Sequence, residues 1–136
     1  MAFLLTTACK KIVALKKRLK IVQGGSSAGK TIAILLILIE RCQAEKNLLV
    51  SVVSESFPHL RRGSVRDFLN IMEAQELYHD SQWNKSEMIY TFPNGNKIEF
   101  FSADQPGKVR GPRRSDLFLN ECNNISFEVY TQLAIR

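Results

Sequence analysis

The residues best equipped for chemistry are Gly24-Gly25-Ser26-Ser27-Ala28-Gly29-Lys30-Thr31. They fit G-x-x-x-x-G-K-[ST], a spacing that binds phosphate. Glycines let backbone amides turn inward without Cβ clashes, which makes an anion-binding nest. Lys30 is placed to reach the β/γ-phosphates as a point charge, and Thr31 to give its hydroxyl to Mg2+. Binding alone does not hydrolyse a nucleotide. Hydrolysis needs a group that orients or deprotonates water beside the γ-phosphate. Phe118-Leu119-Asn120-Glu121 supplies a candidate. Glu121 is read as the catalytic carboxylate. Asn120 stands where an aspartate commonly holds the Mg2+ water shell, and it brings an oxygen without a charge.

These groups work only if the fold brings them together. Lys20-Ile21-Val22-Gln23 reads as a short buried strand over 19–23, and the apolar run from Ile32 to Ile39 as a helix over about 29–45 that stops near Asn47. A helix in that place aims its positive N-terminal end at the loop. Leu48 to Val53 is apolar enough for a strand buried on both faces. Strand, loop, helix, strand is a βαβ unit, so a parallel α/β sheet is expected. In such a sheet, ligand groups collect at the C-terminal strand ends. The strand Asp116–Glu121 delivers Asn120 and Glu121 to that edge.

The remaining segments fill in around this unit. Residues 6–19 read as a helix. Lys10, Lys11, Lys16, Lys17, Arg18 and Lys20 lie on or beside it, read first as a solvated face and second as a nucleic-acid patch. Ser54–Gly63 reads as a loop. Ser64 is expected to cap a helix with Val65, Phe68, Leu69 and Met72 on its core stripe, and Arg61, Arg62 and Arg66 at its entrance are read first as solvated and second as meeting phosphate or DNA. Glu87–Phe92 and Lys97–Ser102 read as an inserted β-hairpin around Asn94-Gly95, the type I′ pair. Met88, Tyr90 and Phe92 alternate on one side of it, Ile98 and Phe100 on the other. Residues 103–115 form a polar loop with Lys108, Arg110, Arg113 and Arg114. Ser126 opens a last helix with Phe127, Tyr130 and Leu133 on one face.

Composition removes several function classes. The 136 residues suit one domain or part of a larger one, and 45% hydrophobic content is enough for a core. The net charge of +6 favours an anionic partner. Cys9, Cys42 and Cys122 are scattered and odd in number, which argues against a zinc site or disulfide framework and for a reducing compartment. His59 and His79 are isolated and read as ordinary surface or packing residues. The Ile32–Ile39 run is far short of the ~20 residues that span a bilayer, so no membrane partner is expected.

Taken together, these motifs resemble the ATPase domain of a tailed-phage terminase large subunit. The likeness is carried by Gln23 to Thr31, the hairpin with Phe92-Pro93-Asn94-Gly95, the loop Gly107-Lys108-Val109-Arg110-Gly111, and Leu117-Phe118-Leu119-Asn120-Glu121. The resemblance implies a P-loop NTPase with a RecA-like core, an additional strand and a catalytic glutamate. ATP and Mg2+ are then the ligands. Gly24, Gly25, Ser26, Ser27, Ala28, Gly29, Lys30 and Thr31 bind ATP, and Thr31 and Asn120 serve the metal. Glu121 and Lys30 are catalytic, with Arg110 as an arginine finger acting on a neighbouring subunit and Arg113 and Arg114 as rivals. The implied function is ATP hydrolysis that drives double-stranded DNA into a procapsid. The partners would be DNA, a homo-oligomeric ring, a portal protein and a terminase small subunit, in the bacterial host cytoplasm. Another ATPase of the class, a helicase or replication ATPase, and an inactive nucleotide-binding fragment are the competing readings.

Two departures from the family matter. Many members carry arginine where this chain has Ser26, and serine where it has Ala28, which shifts the missing positive charge toward Arg110. The family also extends past the catalytic glutamate into a coupling motif and a nuclease domain. Residues 1–136 are therefore expected to be a partial ATPase domain, truncated after the Walker B strand.

Overall fold

Leu49–Ser54 forms the central strand, β1, and it is buried from Val50 onward. The computed structural model describes residues 28–109, 111, 114–120 and 125–135. The predicted helix over 6–19, the strand over 19–23, Gly24 to Ser27, Arg110, Arg113, Glu121, Cys9 and Cys122 lie outside the described residues. Two strands pair with β1 in parallel, β4 (Lys97–Ser102) on one side and β5 (Asp116–Leu119) on the other. β3 (Ile89–Thr91) adds to β4 antiparallel, and a two-residue strand, β2 (Trp83–Asn84), adds to β3. The sheet order is β2-β3-β4-β1-β5. The predicted parallel sheet thus has a parallel centre and an antiparallel edge made by the hairpin.

Alternation along β1 feeds two cores. Val50 and Val52 join Ile98, Phe100 and Phe118 beneath α1 (Ala28–Ala44) and α3 (Arg66–Ala74). Val53, one residue out of phase, joins Phe101, Leu117 and Leu119 beneath α5 (Phe127–Ile135). Helices therefore cover both faces, which is why β1 turns apolar residues to each of them, broken by Ser51 and Ser54. On α1, Leu35, Leu38, Ile39 and Cys42 make the i, i+3, i+4, i+7 stripe that faces the first core. On α3, Phe68 packs against Phe100 at 5.1 Å and Tyr90 at 5.6 Å between ring centroids. No described helix is long and apolar enough to cross a membrane.

Three local expectations are corrected. First, the predicted loop over 54–63 is largely helical. α2 (Phe57–Leu60) starts at Pro58's first-turn position, where a missing N–H costs nothing, and runs through a π segment, Arg61–Val65, into α3. Ser64 is buried inside that run rather than capping it. Second, the hairpin turn is not type I′. Pro93 holds a negative φ, so the turn closes with Gly95 N–H donating to Phe92 O, and only Gly95, at φ 91°, takes the left-handed region. Third, Met88, Tyr90, Phe92, Ile98 and Phe100 all enter the same core, because Tyr90 lies directly opposite Ile98 on one sheet face. The last helix opens after Ser126 as expected, with Ser126 Oγ accepting from Val129 N–H at 3.3 Å, and Val129 and Leu133 pack into the second core.

The hairpin also closes the far end of α1. Asn47 adopts φ 60°, as expected of a stop residue. The orphan carbonyls of that last turn are then met by asparagines of the turn. Asn94 and Asn96 each donate to Cys42 O at 2.8 Å, and Asn96 donates to Glu45 O at 2.7 Å while accepting from Leu48 N–H at 2.9 Å. Asn96 is 1% exposed, so water does not replace these bonds when they are lost. Asn96→Ala is expected to lower the unfolding free energy by ~1–3 kcal/mol, read from the urea midpoint.

Candidate functional site

Two side-chain contacts fix how α1 lies on β5. In the last turn of α1, Arg41 Nε donates to Asp116 Oδ2 at 2.7 Å and Nη2 to Asp116 Oδ1 at 3.1 Å. In the first turn, Thr31 Oγ1 donates to Asn120 Oδ1 at 3.3 Å. Ten helical residues rise ~15 Å, and four strand residues span ~13 Å. The spacings agree, so α1 runs antiparallel to β5 and its N-terminus meets the C-terminal end of the strand. Parity explains why these side chains were available: Asp116, Phe118 and Asn120 alternate onto the face that α1 covers.

The strand ends converge there. Asn120 N–H continues the ladder to Val53 O, and Ala103 N–H donates to Ser54 O, which brings the ends of β1, β4 and β5 level. Of the sequence-read site residues, Lys30, Thr31 and Asn120 are therefore placed at one edge, with Thr31 and Asn120 in contact. Ala28 and Gly29 open α1. Gly24, Gly25, Ser26, Ser27, Glu121 and Arg110 lie outside the described residues. A neutral hydroxyl and a neutral carboxamide oxygen are hard donors, the kind Mg2+ accepts while keeping several of its waters. Among the described residues no cluster of three or more His, Cys, Asp or Glu exists to hold a metal instead.

A second wall faces this edge. Pro58, His59, Arg62 and Gly63 line an open cleft together with Asn120. A Cβ built on Gly63 would lie 4.0 Å from Asn120 Nδ2, so the backbone of the π segment passes close to the asparagine amide. This wall was missed from sequence. The stripe steps five residues from Leu60 to Val65, and its intervening buried position is Ser64, so no 3.6-residue apolar period announces the helix.

Arg114 is removed from the set of arginine-finger candidates. It is 8% exposed. Its Nε donates to Ser51 Oγ at 2.9 Å, Nη1 to Leu133 O at 3.3 Å, and Nη2 to Lys108 O at 3.4 Å, and its guanidinium lies 5.7 Å from the Phe101 ring centroid. Ser51 Oγ in turn donates to the buried Glu99 carboxylate at 2.6 Å. A side chain held from four directions inside the second core does not reach a neighbouring subunit. Cys42 is equally unsuited to chemistry: burial, with Asp116 adding to it, pushes its thiol up to about 12. His59 shares a 2.7 Å hydrogen bond with Ser56 Oγ, and His79 is exposed, in line with their reading as ordinary residues.

Residues 16–136 match the family model described as phage terminase large subunit. The chain belongs to that family. Among solved structures, the large terminase of a thermophilic bacteriophage is similar in two crystal forms, both at 14% identity. One form gives a TM-score of 0.75 over 98% of this chain and 36% of that one. The other gives 0.67 over 96% and 34%. At that identity the likeness shows the fold, a mixed α/β domain with a largely parallel sheet, and this terminase chain spans about a third of the length of those terminases. No curated protein matches it.

Proposed function

We propose that this terminase chain forms the ATP-binding part of a DNA-packaging ATPase, with a RecA-like core that carries an additional strand and a catalytic glutamate. The observation that carries the reading is the hydrogen bond between Thr31 and Asn120, 89 residues apart, at the meeting of a helix N-terminus and a strand end. That edge is where a parallel sheet presents ligand groups. Gly24 to Gly29 surround the phosphates with backbone amides, and Lys30 neutralises the β/γ-phosphates. Thr31 and Asn120 would hold Mg2+ through oxygen, and its chemistry there would be neutralisation of developing phosphate charge. Glu121 orients and deprotonates the attacking water. Arg110 reaches the nucleotide of the next subunit in a homo-oligomeric ring. The full-length protein would work in the host cytoplasm on double-stranded DNA, with a portal protein and a terminase small subunit as partners.

The test is a comparison of wild type and Lys30→Ala in the full-length terminase. A ligand that binds only the folded state stabilises it by ~4 kcal/mol at a thousandfold excess over Kd. ATP with Mg2+ is expected to raise the melting temperature of wild type and not of Lys30→Ala, which also loses turnover. An equal shift in both proteins sinks the assignment of the phosphate loop.

A further inference from the structure

The cleft beside Asn120 is basic, and the established family membership does not explain its composition. Its lining residues among those described are Pro58, His59, Arg62, Gly63 and Asn120, with no carboxylate among them. Arg62 is exposed, and among the described residues its guanidinium makes no ion pair or hydrogen bond. Among the described residues that charge has no counter-charge on the wall it shares with Asn120, whose carboxamide oxygen is already engaged by Thr31.

The segment that carries Arg62 is unusual in itself. Arg61–Val65 is a π turn between two α-helical stretches, a geometry concentrated at functional sites. Ser54, at the end of β1, and Ser64, in the π turn, are both buried with hydroxyls that find no partner among the described residues. Unmet buried hydroxyls are uncommon in native folds. The turn passes Asn120 at van der Waals distance, with a Cβ position on Gly63 lying 4.0 Å from Asn120 Nδ2.

We propose that Arg62 is a phosphate-contacting residue supplied by the same subunit, which grips the terminal phosphate of the bound nucleotide or the inorganic phosphate released from it. The planar guanidinium matches two phosphate oxygens at once, whereas Lys30 contributes a point charge. The inference rests on the ATPase reading above. It adds a positively charged group from the β1–α3 connection to a site otherwise built from the phosphate loop and the end of β5.

The experiment uses the full-length terminase with Arg62→Ala, Arg62→Lys, Arg61→Ala and Lys30→Ala. Arg61 is the control, since it is exposed on the same turn but does not line the cleft. Arg62→Ala is expected to lower DNA-free ATP turnover ~10–100-fold, the loss of a hydrogen bond to a charged group. Arg62→Lys should recover part of it, and Arg61→Ala should match wild type. Two binding arms separate the sources. Weaker ATP–Mg2+ binding assigns the contact to the γ-phosphate; weaker inhibition by added inorganic phosphate, with ATP binding intact, assigns it to the product. Wild-type turnover in Arg62→Ala beside an inactive Lys30→Ala overturns this inference and leaves the ATPase reading standing. An active Lys30→Ala overturns the ATPase reading itself. If Arg62→Ala keeps its DNA-free turnover and instead reduces the salt slope of DNA binding by ~1, Arg62 is a DNA-backbone contact and the proposal is overturned.

Discussion

Arg110→Ala in the full-length terminase is expected to lower ATP turnover by ~10³–10⁵-fold, the range for removing an arginine finger. Mixing it with Lys30→Ala subunits should restore part of the activity, because each variant keeps what the other lacks: an intact phosphate loop in one, an intact arginine in the other. The described residues on either side of this proposed finger are held in place. Val109, in α4 (Pro106–Val109), is 1% exposed and packs into the second core. Gly111 N–H donates to Lys108 O at 3.0 Å, and a Cβ on Gly111 would come within 2.9 Å of that same oxygen. Arg114 then ties the loop to Ser51 and to α5. Arg110 is thus bracketed by anchored residues. Arg114→Ala should fail differently: it strands buried partners, lowers the melting temperature and gains nothing from mixing. A mixed ring that stays inactive would show that Arg110 does not act across a subunit boundary. Wild-type turnover in Arg110→Ala would pass the finger role to Arg113.

The contrast between Arg110 and Arg114 shows where the residues spoke for themselves. Long apolar runs were legible: α1 and β1 lie within a residue or two of expectation because Ile32 to Ile39 is apolar throughout and Leu48 to Val53 is interrupted only by Ser51. The meeting of Thr31 and Asn120 was legible from topology, since a βαβ unit sends a helix N-terminus and a strand end to one edge. Arg114 was not. Its partners are two main-chain carbonyls and a serine 63 residues away, and no local pattern marks which cation of a basic loop turns inward. The same holds for Asn96, which lies between the two expected hairpin strands and caps a helix that ends 52 residues earlier in the chain. The wall with Arg62 was hidden by a single inserted residue. From Leu60 to Val65 the buried stripe steps by five, and Ser64 occupies the intervening buried place, so a helix read as a loop.

Glu121→Gln separates binding from hydrolysis. The substitution keeps the shape and removes the ability to take a proton, so it is expected to slow turnover by ~10²–10⁴-fold, the range for general acid–base catalysis. ATP with Mg2+ should still raise the melting temperature, because Lys30, Thr31 and Asn120 are untouched. The neutral character of Asn120 sharpens this test. An aspartate in its place would bring a second carboxylate to the end of β5, and a partial loss in Glu121→Gln could then be shared between two acids. With Asn120 bonded to Thr31 through its oxygen, that strand end carries no other candidate base among the described residues. If Glu121→Gln hydrolyses at the wild-type rate, the base must come from another strand. Asp104, two residues past the end of β4 and accepting from Ser102 Oγ, is then the carboxylate to replace next.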